Sequence, residues 1–281
     1  WQDWYIGSTP RNKGIPECTR NLTHSFTYND VSSLELLFNR YPGEFAAVIF
    51  EPMNTEEPAP GFTKGIQELT HKNGAIFILD EIITGFRYAL GGAQELFGLE
   101  PDLAAFGKSM ANGFAISAVV GKRELMKEME EVFFSFTFGG EAISIAAAIA
   151  TLKKLREKSV IDNLWKTGKK IISGVSNLIA KHELEKVFKV KGKPPWSLLE
   201  INDHESATSW EIKSLFKQEM LARGIFISIS HNVSYAHSDE DIENLLIGYD
   251  DVLSLIHQSL AKENVRGALV GKPIEPTFKV R

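Results

Sequence analysis

The chain has 281 residues, 43% hydrophobic and 24% charged, ordinary values for a globular protein that exclude a disordered or fibrous chain. At about 100–200 residues per domain, that length holds one large domain or two ordinary ones. The 31 basic and 36 acidic residues leave a net charge of −5, a mild deficit that argues against a nucleic-acid or anionic-membrane surface.

No uncharged apolar run approaches the roughly 18 residues of a membrane helix. The opening Trp1-Gln2-Asp3-Trp4 lacks the basic start and apolar core of a secretory signal. The single cysteine, Cys18, cannot form an internal disulfide, which fits a cytoplasmic compartment. Because the chain begins with Trp1 rather than Met, its true start is expected to lie upstream.

In chain order, Ala46–Phe50 is an apolar run without alternation, followed by Glu51-Pro52. Residues 61–73 carry a helical pattern through Phe62, Ile66 and Leu69, with Asn73-Gly74 as the stop. Ala75–Leu79 is a second apolar run, ending abruptly in Asp80-Glu81, and Leu103–Phe106 and Ile116–Val120 are two more. Strands apolar on both faces and separated by helices predict a mainly parallel sheet covered by helices. Ligands of such sheets bind beyond the carboxyl ends of the strands. Glu51, Asp80-Glu81 and Gly107-Lys108 each fall there, although a strand end is also where polar residues ordinarily go.

Residues 141–182 read as long helix, first small and apolar, then amphipathic. Lys191–Pro195 reads as a loop, and Leu198–Ile201 and Ile225–Ile229 as strands. Ser238 opens a helix with acidic residues in its first turn, and Ile242, Leu245, Leu246, Tyr249, Val252, Leu253 and Ile256 share one face of it. This mixture predicts a smaller α+β domain, with a boundary near residue 160 that divides the chain into 1–160 and 161–281. No repeat or low-complexity stretch is visible.

Asp80 and Lys108 are the sharpest chemical pair. A strand-end lysine can form a Schiff base with pyridoxal phosphate while a carboxylate pairs with the protonated pyridine nitrogen. The carboxylate favours the charged ring by Coulomb attraction, and the freed lysine can carry a proton between carbons. Spacing alone leaves this as one of several readings.

The ordered residues Ile78-Leu79-Asp80-Glu81-Ile82-Ile83-Thr84-Gly85-Phe86-Arg87, Gln94, Phe97-Gly98, Pro101-Asp102-Leu103 and Phe106-Gly107-Lys108 resemble the class III pyridoxal-phosphate aminotransferases, closest to their glutamate-1-semialdehyde 2,1-aminomutase branch. The resemblance continues through Thr137-Phe138-Gly139-Gly140-Glu141 to Ala236–Ile242 and covers nearly the whole chain. It implies an α/β chain of the type I pyridoxal-phosphate fold, with residues 1–160 as the cofactor-binding large domain and 161–281 as the small one. It carries Lys108 over as the Schiff-base lysine, Asp80 as the partner of the ring nitrogen and Ile82 as the residue against one ring face. Thr137 is carried over as a ligand of the phosphate in the neighbouring subunit, which implies a homodimer with shared sites. The same threonine could serve as a plain helix cap before residue 141.

Other candidates are weaker. Glu51 is expected to order the pocket, and Asn54 to reach the cofactor's phenolic oxygen from a loop shorter than the aminomutase one. Arg87 could bind a substrate carboxylate, but a structural ion pair is the preferred expectation. His231–Tyr235 is placed near the substrate, and His237 at a helix start. No metal-ligand spacing is visible, and the Gly-Gly pairs lack the dinucleotide fingerprint.

Two departures from the family pattern shape the functional expectation. The phosphate cup and the ring-stacking aromatic would precede Trp1, so the sequence is expected to be truncated. The acidic residue that the aminomutase branch carries before its Ala-His-Ser segment is not evident in Ile229–Val233. The favoured activity is therefore transfer of an amino group from a donor, glutamate by the resemblance, to a separate carbonyl acceptor, with a sugar-like acceptor suggested by His231 and Asn232. Intramolecular aminomutase chemistry and a non-catalytic relative of the fold are the alternatives.

Overall fold

A computed structural model describes residues 2–275; Trp1 lies outside them. Two short helices, α1 (Asp3–Ile6) and α2 (Glu17–Arg20), precede α3 (Val31–Arg40). A four-stranded sheet follows, in the order β1-β2-β3-β4. Its strands are β1 (Ala47–Phe50), β2 (Ile76–Glu81), β3 (Leu103–Phe106) and β4 (Ala118–Gly121). The first three are parallel and β4 runs antiparallel to β3, so the sheet is mixed but mostly parallel. Helix α4 (Phe62–Lys72) crosses from β1 to β2, α5 (Ala93–Phe97) lies between β2 and β3, and α6 (Arg123–Met126) follows β4.

The apolar runs form the expected strands, but β2 is not equally buried on both faces. Phe77, Leu79 and Glu81 are buried, while Ile76, Ile78 and Asp80 are half-buried. The period-two alternation of a strand therefore separates the neighbouring acids Asp80 and Glu81 onto opposite faces. Leu34 and Phe38 of α3 and Phe62 and Ile66 of α4 share one core with Val48, Phe77, Leu79 and Ala104. Asp102 ties three elements to it, accepting from Phe77 N (2.7 Å), His71 Nε2 (2.9 Å) and Lys122 Nζ (2.6 Å). Burial opposes its ionisation, but those donors outweigh burial and hold its carboxyl below the usual range.

The expected helix over 141–182 is broken. Lys158 is extended at φ −124°, which ends α7 (Ala142–Glu157) and lets α8 (Val160–Lys181) start in a new direction. From there Leu164, Ile171, Val175 and Ile179 face a second core. That core is completed by an antiparallel sheet and two helices. The strands are β5 (Phe188–Lys193), β6 (Trp196–Ile201) and β7 (Ser230–Asn232), and the helices α9 (Ser209–Ala222) and α10 (Asp239–Ala261). Ile242, Tyr249, Val252, Leu253 and Ile256 of α10 are buried in it, with Leu245 and Leu246 packed at its margin.

Two local expectations are corrected. Lys191–Lys193 belong to β5 rather than to a loop, because Gly192 at φ +91° keeps its pairing with Ser197 and leaves Pro194-Pro195 as the turn. Ile225–Ile229 is not a strand. Ile229 sits at φ +77°, a conformation costly for a β-branched residue, and only residues 230–232 pair with β6. Its carbonyl still accepts from Leu199 N at 2.7 Å, while Phe226 stands in solvent. No helix among the described residues is long and apolar enough to cross a membrane.

Gly168 of α8 sits against the Pro194 turn so closely that a Cβ on it would lie 1.8 Å from the Pro194 carbonyl oxygen. Backbone cannot yield as a flexible side chain would. Gly168→Ala is therefore expected to lower the unfolding free energy by about 1–3 kcal/mol, the usual cost of overpacking, as measured by denaturant titration.

Candidate active site

Because β1, β2 and β3 are parallel, their carboxyl ends share one edge of the sheet. Glu51 follows β1, Asp80 is the penultimate residue of β2, opposite Ala105, and Lys108 stands two residues beyond β3. The three groups come within electrostatic reach there. Burial raises the Glu51 pKa, the hydrogen bond from Asn54 opposes that rise, and the charges of Asp80 and Lys108 act on it in opposite directions. Lys108 is exposed and opens a single 3-10 turn, Lys108–Met110, at φ +40°. The Asp80 carboxylate accepts from Ile82 N at 3.0 Å. Ile82 reaches the Gly107 backbone, where a Cβ would meet its Cδ1 at 3.1 Å. Asp80, Ile82 and Lys108 thus gather at one strand edge.

Thr137 is not part of that gathering. It lies in an exposed segment before α7, and among the described residues no hydrogen bond or ion pair joins it to the other three. Nor is it the helix cap. Glu141 fills that place, its carboxylate accepting from Ile143 N and Ser144 N, each at 2.7 Å, as a longer acidic side chain can at a helix N-terminus.

The structure revises three further expectations. Asn54 donates to Glu51 at 2.6 Å, so its amide is committed to the carboxylate. Arg87 makes no ion pair among the described residues. It donates to the carbonyls of Ile83 (2.9 Å) and Pro195 (3.4 Å) and to Ser109 Oγ (3.3 Å), because its turn faces backbone rather than an acid. His231 cannot serve a substrate. It is buried, with Nδ1 hydrogen-bonded to Ser197 Oγ at 2.9 Å and Nε2 to the Tyr249 hydroxyl at 2.7 Å. Its neighbour Asn232 remains exposed, and His237 accepts from Ser234 N just ahead of the Ser238 cap.

Sequence reasoning missed Glu81 as a tether. Fully buried, it accepts from the Thr84 hydroxyl, Ala93 N (2.9 Å) and Gln94 N (2.6 Å), and so holds the start of α5 against the end of β2. Gly92, at φ +84°, leaves the room this needs, since a Cβ there would meet the carboxylate at 2.6 Å. The adjacent Gly-Gly pair was the available signal. A groove of about 830 Å³ lies elsewhere, between residues 223–233 and α10, and contains none of Asp80, Ile82, Lys108 or Thr137.

Comparison with known proteins places this arrangement in context. A family model described as aminotransferase class-III matches residues 8–246. The chain is 33% identical over 253 residues to glutamate-1-semialdehyde 2,1-aminomutase 2 of Brevibacillus brevis, covering 84% of the chain and 59% of that protein. It is 32% identical over 258 residues to 3-aminobutyryl-CoA aminotransferase of Cloacimonas acidaminovorans, covering 86% and 59%. It therefore spans about three-fifths of the length of these curated relatives. Among solved structures, the pyridoxal-phosphate internal aldimine form of the FumI protein of Sphingopyxis superposes with a TM-score of 0.82 and 27% identity, over 90% of this chain and 63% of that one.

Burial holds the His231 pKa down to about 4, below the value near 6.5 of a free imidazole. The unfolded chain therefore binds a proton that the folded chain refuses. Stability contributed here is complete above about pH 6.5 and falls as pH drops toward about 4, by at most roughly 1.4 kcal/mol per pH unit. Denaturant titrations across that window are expected to show a shallower pH slope in His231→Gln than in the unsubstituted chain.

Proposed function

The chain belongs to the class III aminotransferases, and from that premise we propose that it works as a pyridoxal-phosphate-dependent transaminase. The amino group passes from a donor amino acid, glutamate in the reading the resemblance implies, to a separate carbonyl acceptor. The observation that carries this reading is the placement of Lys108 and Asp80 at the ends of adjacent parallel strands, with Glu51 in electrostatic reach of both.

The residues present suit the cofactor. An exposed primary amine follows β3, a half-open carboxylate stands at the end of the adjacent strand β2, and Ile82 packs against Gly107, the residue before the amine. Lys108 would hold the group covalently, Asp80 would face its ring nitrogen and Ile82 one ring face. Bound there, the protonated ring supplies an electron sink for the pair released when a Cα–H bond of the donor breaks. Asp80 contributes the negative charge that keeps a cationic nitrogen favourable. The Lys108 amine, once released, takes the proton from one carbon and returns it to another, as general base and then acid. Glu51, held by Asn54, adds a second acid whose ionisation is opposed by burial and by the charge of Asp80.

A homodimer with shared sites fits the surface around Thr137. Phe133, Phe134, Phe136, Phe138, Ile143 and Ile149 are all exposed on this stretch, an apolar concentration of the kind that marks an interaction site. In that assembly Thr137 would serve the phosphate of the partner's site. A sugar-like acceptor now rests on Asn232 alone, since both ring nitrogens of His231 are engaged.

Intramolecular amino transfer is the second reading, supported by relatives named glutamate-1-semialdehyde 2,1-aminomutase. Turnover of that semialdehyde without an added donor would favour it over the first. For either reading, Lys108→Ala is expected to abolish the borohydride-stable bond between the chain and pyridoxal phosphate and to lower turnover by at least about 100-fold, the lower range for losing a positioned acid–base group. Unchanged turnover together with an unchanged cofactor adduct would overturn the assignment.

A further inference from the structure

Arg87 is the charged group that this chemistry leaves unused. Its three described hydrogen bonds reach three separate segments: the turn after β2 at Ile83 O, the Lys108 turn at Ser109 Oγ, and the hairpin tip between β5 and β6 at Pro195 O. The side chain is half-buried, and burial pushes its pKa down more than Tyr88 raises it. A guanidinium spans such distances because its donors lie in a fixed planar fork.

The segments it joins are held in different ways. The hairpin tip is seated independently on the rest of the molecule. Pro194 packs against Gly168, and Lys193 pairs with Glu57 at 2.7 Å in the loop that follows β1. Trp165 Nε1 donates to Tyr88 O at 2.9 Å, fixing the residue next to Arg87. Lys108, by contrast, sits in the left-handed region at φ +40°, where a non-glycine residue persists only if its surroundings determine it. Its amine forms no ion pair among the described residues; the turn is closed by Met110 N on Gly107 O at 2.9 Å and Asn112 N on Lys108 O at 3.1 Å, with Met110 and Ala111 buried, and Ser109 is its side-chain link to Arg87.

We propose that Arg87 is a positioning residue: through Ser109 it pins the turn that carries Lys108 to the tip of the β5–β6 hairpin. The reach of the reactive amine is then set by the second half of the chain as well as by the sheet beneath it. This rests on the reading of Lys108 as the cofactor-binding amine, and the test separates the two.

The full chain and its Arg87→Gln, Arg87→Lys and Ser109→Ala variants are compared in two labelling measurements and in the KM for a carboxylate-bearing amino donor. Competitive acetylation without cofactor, read by peptide mass spectrometry with Lys189 as internal reference, reports the reactivity of Lys108. Borohydride trapping after addition of pyridoxal phosphate reports how fast that amine captures the cofactor. Arg87→Gln and Ser109→Ala are expected to shift Lys108 reactivity in the same direction. Both should slow trapping roughly tenfold, less than the roughly 100-fold that a misplacement of about 1 Å costs a reacting group. Arg87→Lys, with one ammonium in place of the fork, should recover only part. Ser109→Ala removes only the link to the Lys108 turn, so it decides the matter even if Arg87→Gln folds poorly. Wild-type reactivity of Lys108 in Ser109→Ala overturns the proposal. So does an Arg87→Gln variant in which only KM for a carboxylate donor changes, since that is the behaviour of a substrate receptor. If pyridoxal phosphate fails to trap on Lys108 in the unsubstituted chain, the cofactor reading falls, and acetylation alone then decides the role of Arg87.

Discussion

Parallel pairing of three consecutive strands is the constraint on which the site depends. A parallel ladder gives every strand the same polarity, so whatever follows each one arrives at the same edge. Here that brings together Glu51, Asp80 and Lys108 from positions 29 and 28 residues apart in sequence. Asp102 preserves the alignment from the opposite end, binding Phe77 N at the foot of β2, His71 of α4 and Lys122 just beyond β4. The edge that gathers these three groups and the edge that Asp102 ties lie at opposite ends of the same strands.

Each acid along β2 has a separate task because the strand alternates. Asp80 remains half-open beside the lysine, and Glu81 is fully buried and satisfied by Thr84 and the first amides of α5. A buried carboxylate with three donors is structural by its surroundings, and a half-open one is available for a ligand. Residue type is identical in kind at the two positions; pleat geometry makes the difference.

Much of this was legible in the sequence, and the reasons are local. The apolar runs at 47–50, 76–79 and 103–106 read as buried strands from their composition and bounds, and the stripe from Ile242 to Ile256 as a helix face turned to a core. The placement of Asp80 and Lys108 at the ends of neighbouring strands, with Ile82 just beyond Asp80, was readable because an ordered motif specifies them together. What escaped was whatever depends on partners distant in sequence. Arg87 meets Pro195 across 108 positions, and His231 meets Ser197 and Tyr249 on other elements. An arginine was therefore expected to find an acid, and a histidine to face a substrate. Ile225–Ile229 has strand composition, yet the turn at Ile229 takes it out of the ladder. The break at Lys158 was likewise hidden, because two helices of good propensity in succession look like one.

The alternation within β2 also governs how this segment can change over generations. Side chains in a strand repeat every two positions, so inserting or deleting one residue between Ile76 and Asp80 exchanges the two faces of everything beyond it. The tethering acid would then point into the crevice, and the half-open one into the core among Leu79's neighbours, with three donors around α5 left unmet. Substitutions in this strand can be absorbed one side chain at a time, but a change of length cannot. The length of β2 is thus held by two incompatible demands on adjacent residues, and length variation among descendants of this chain should collect in its loops instead.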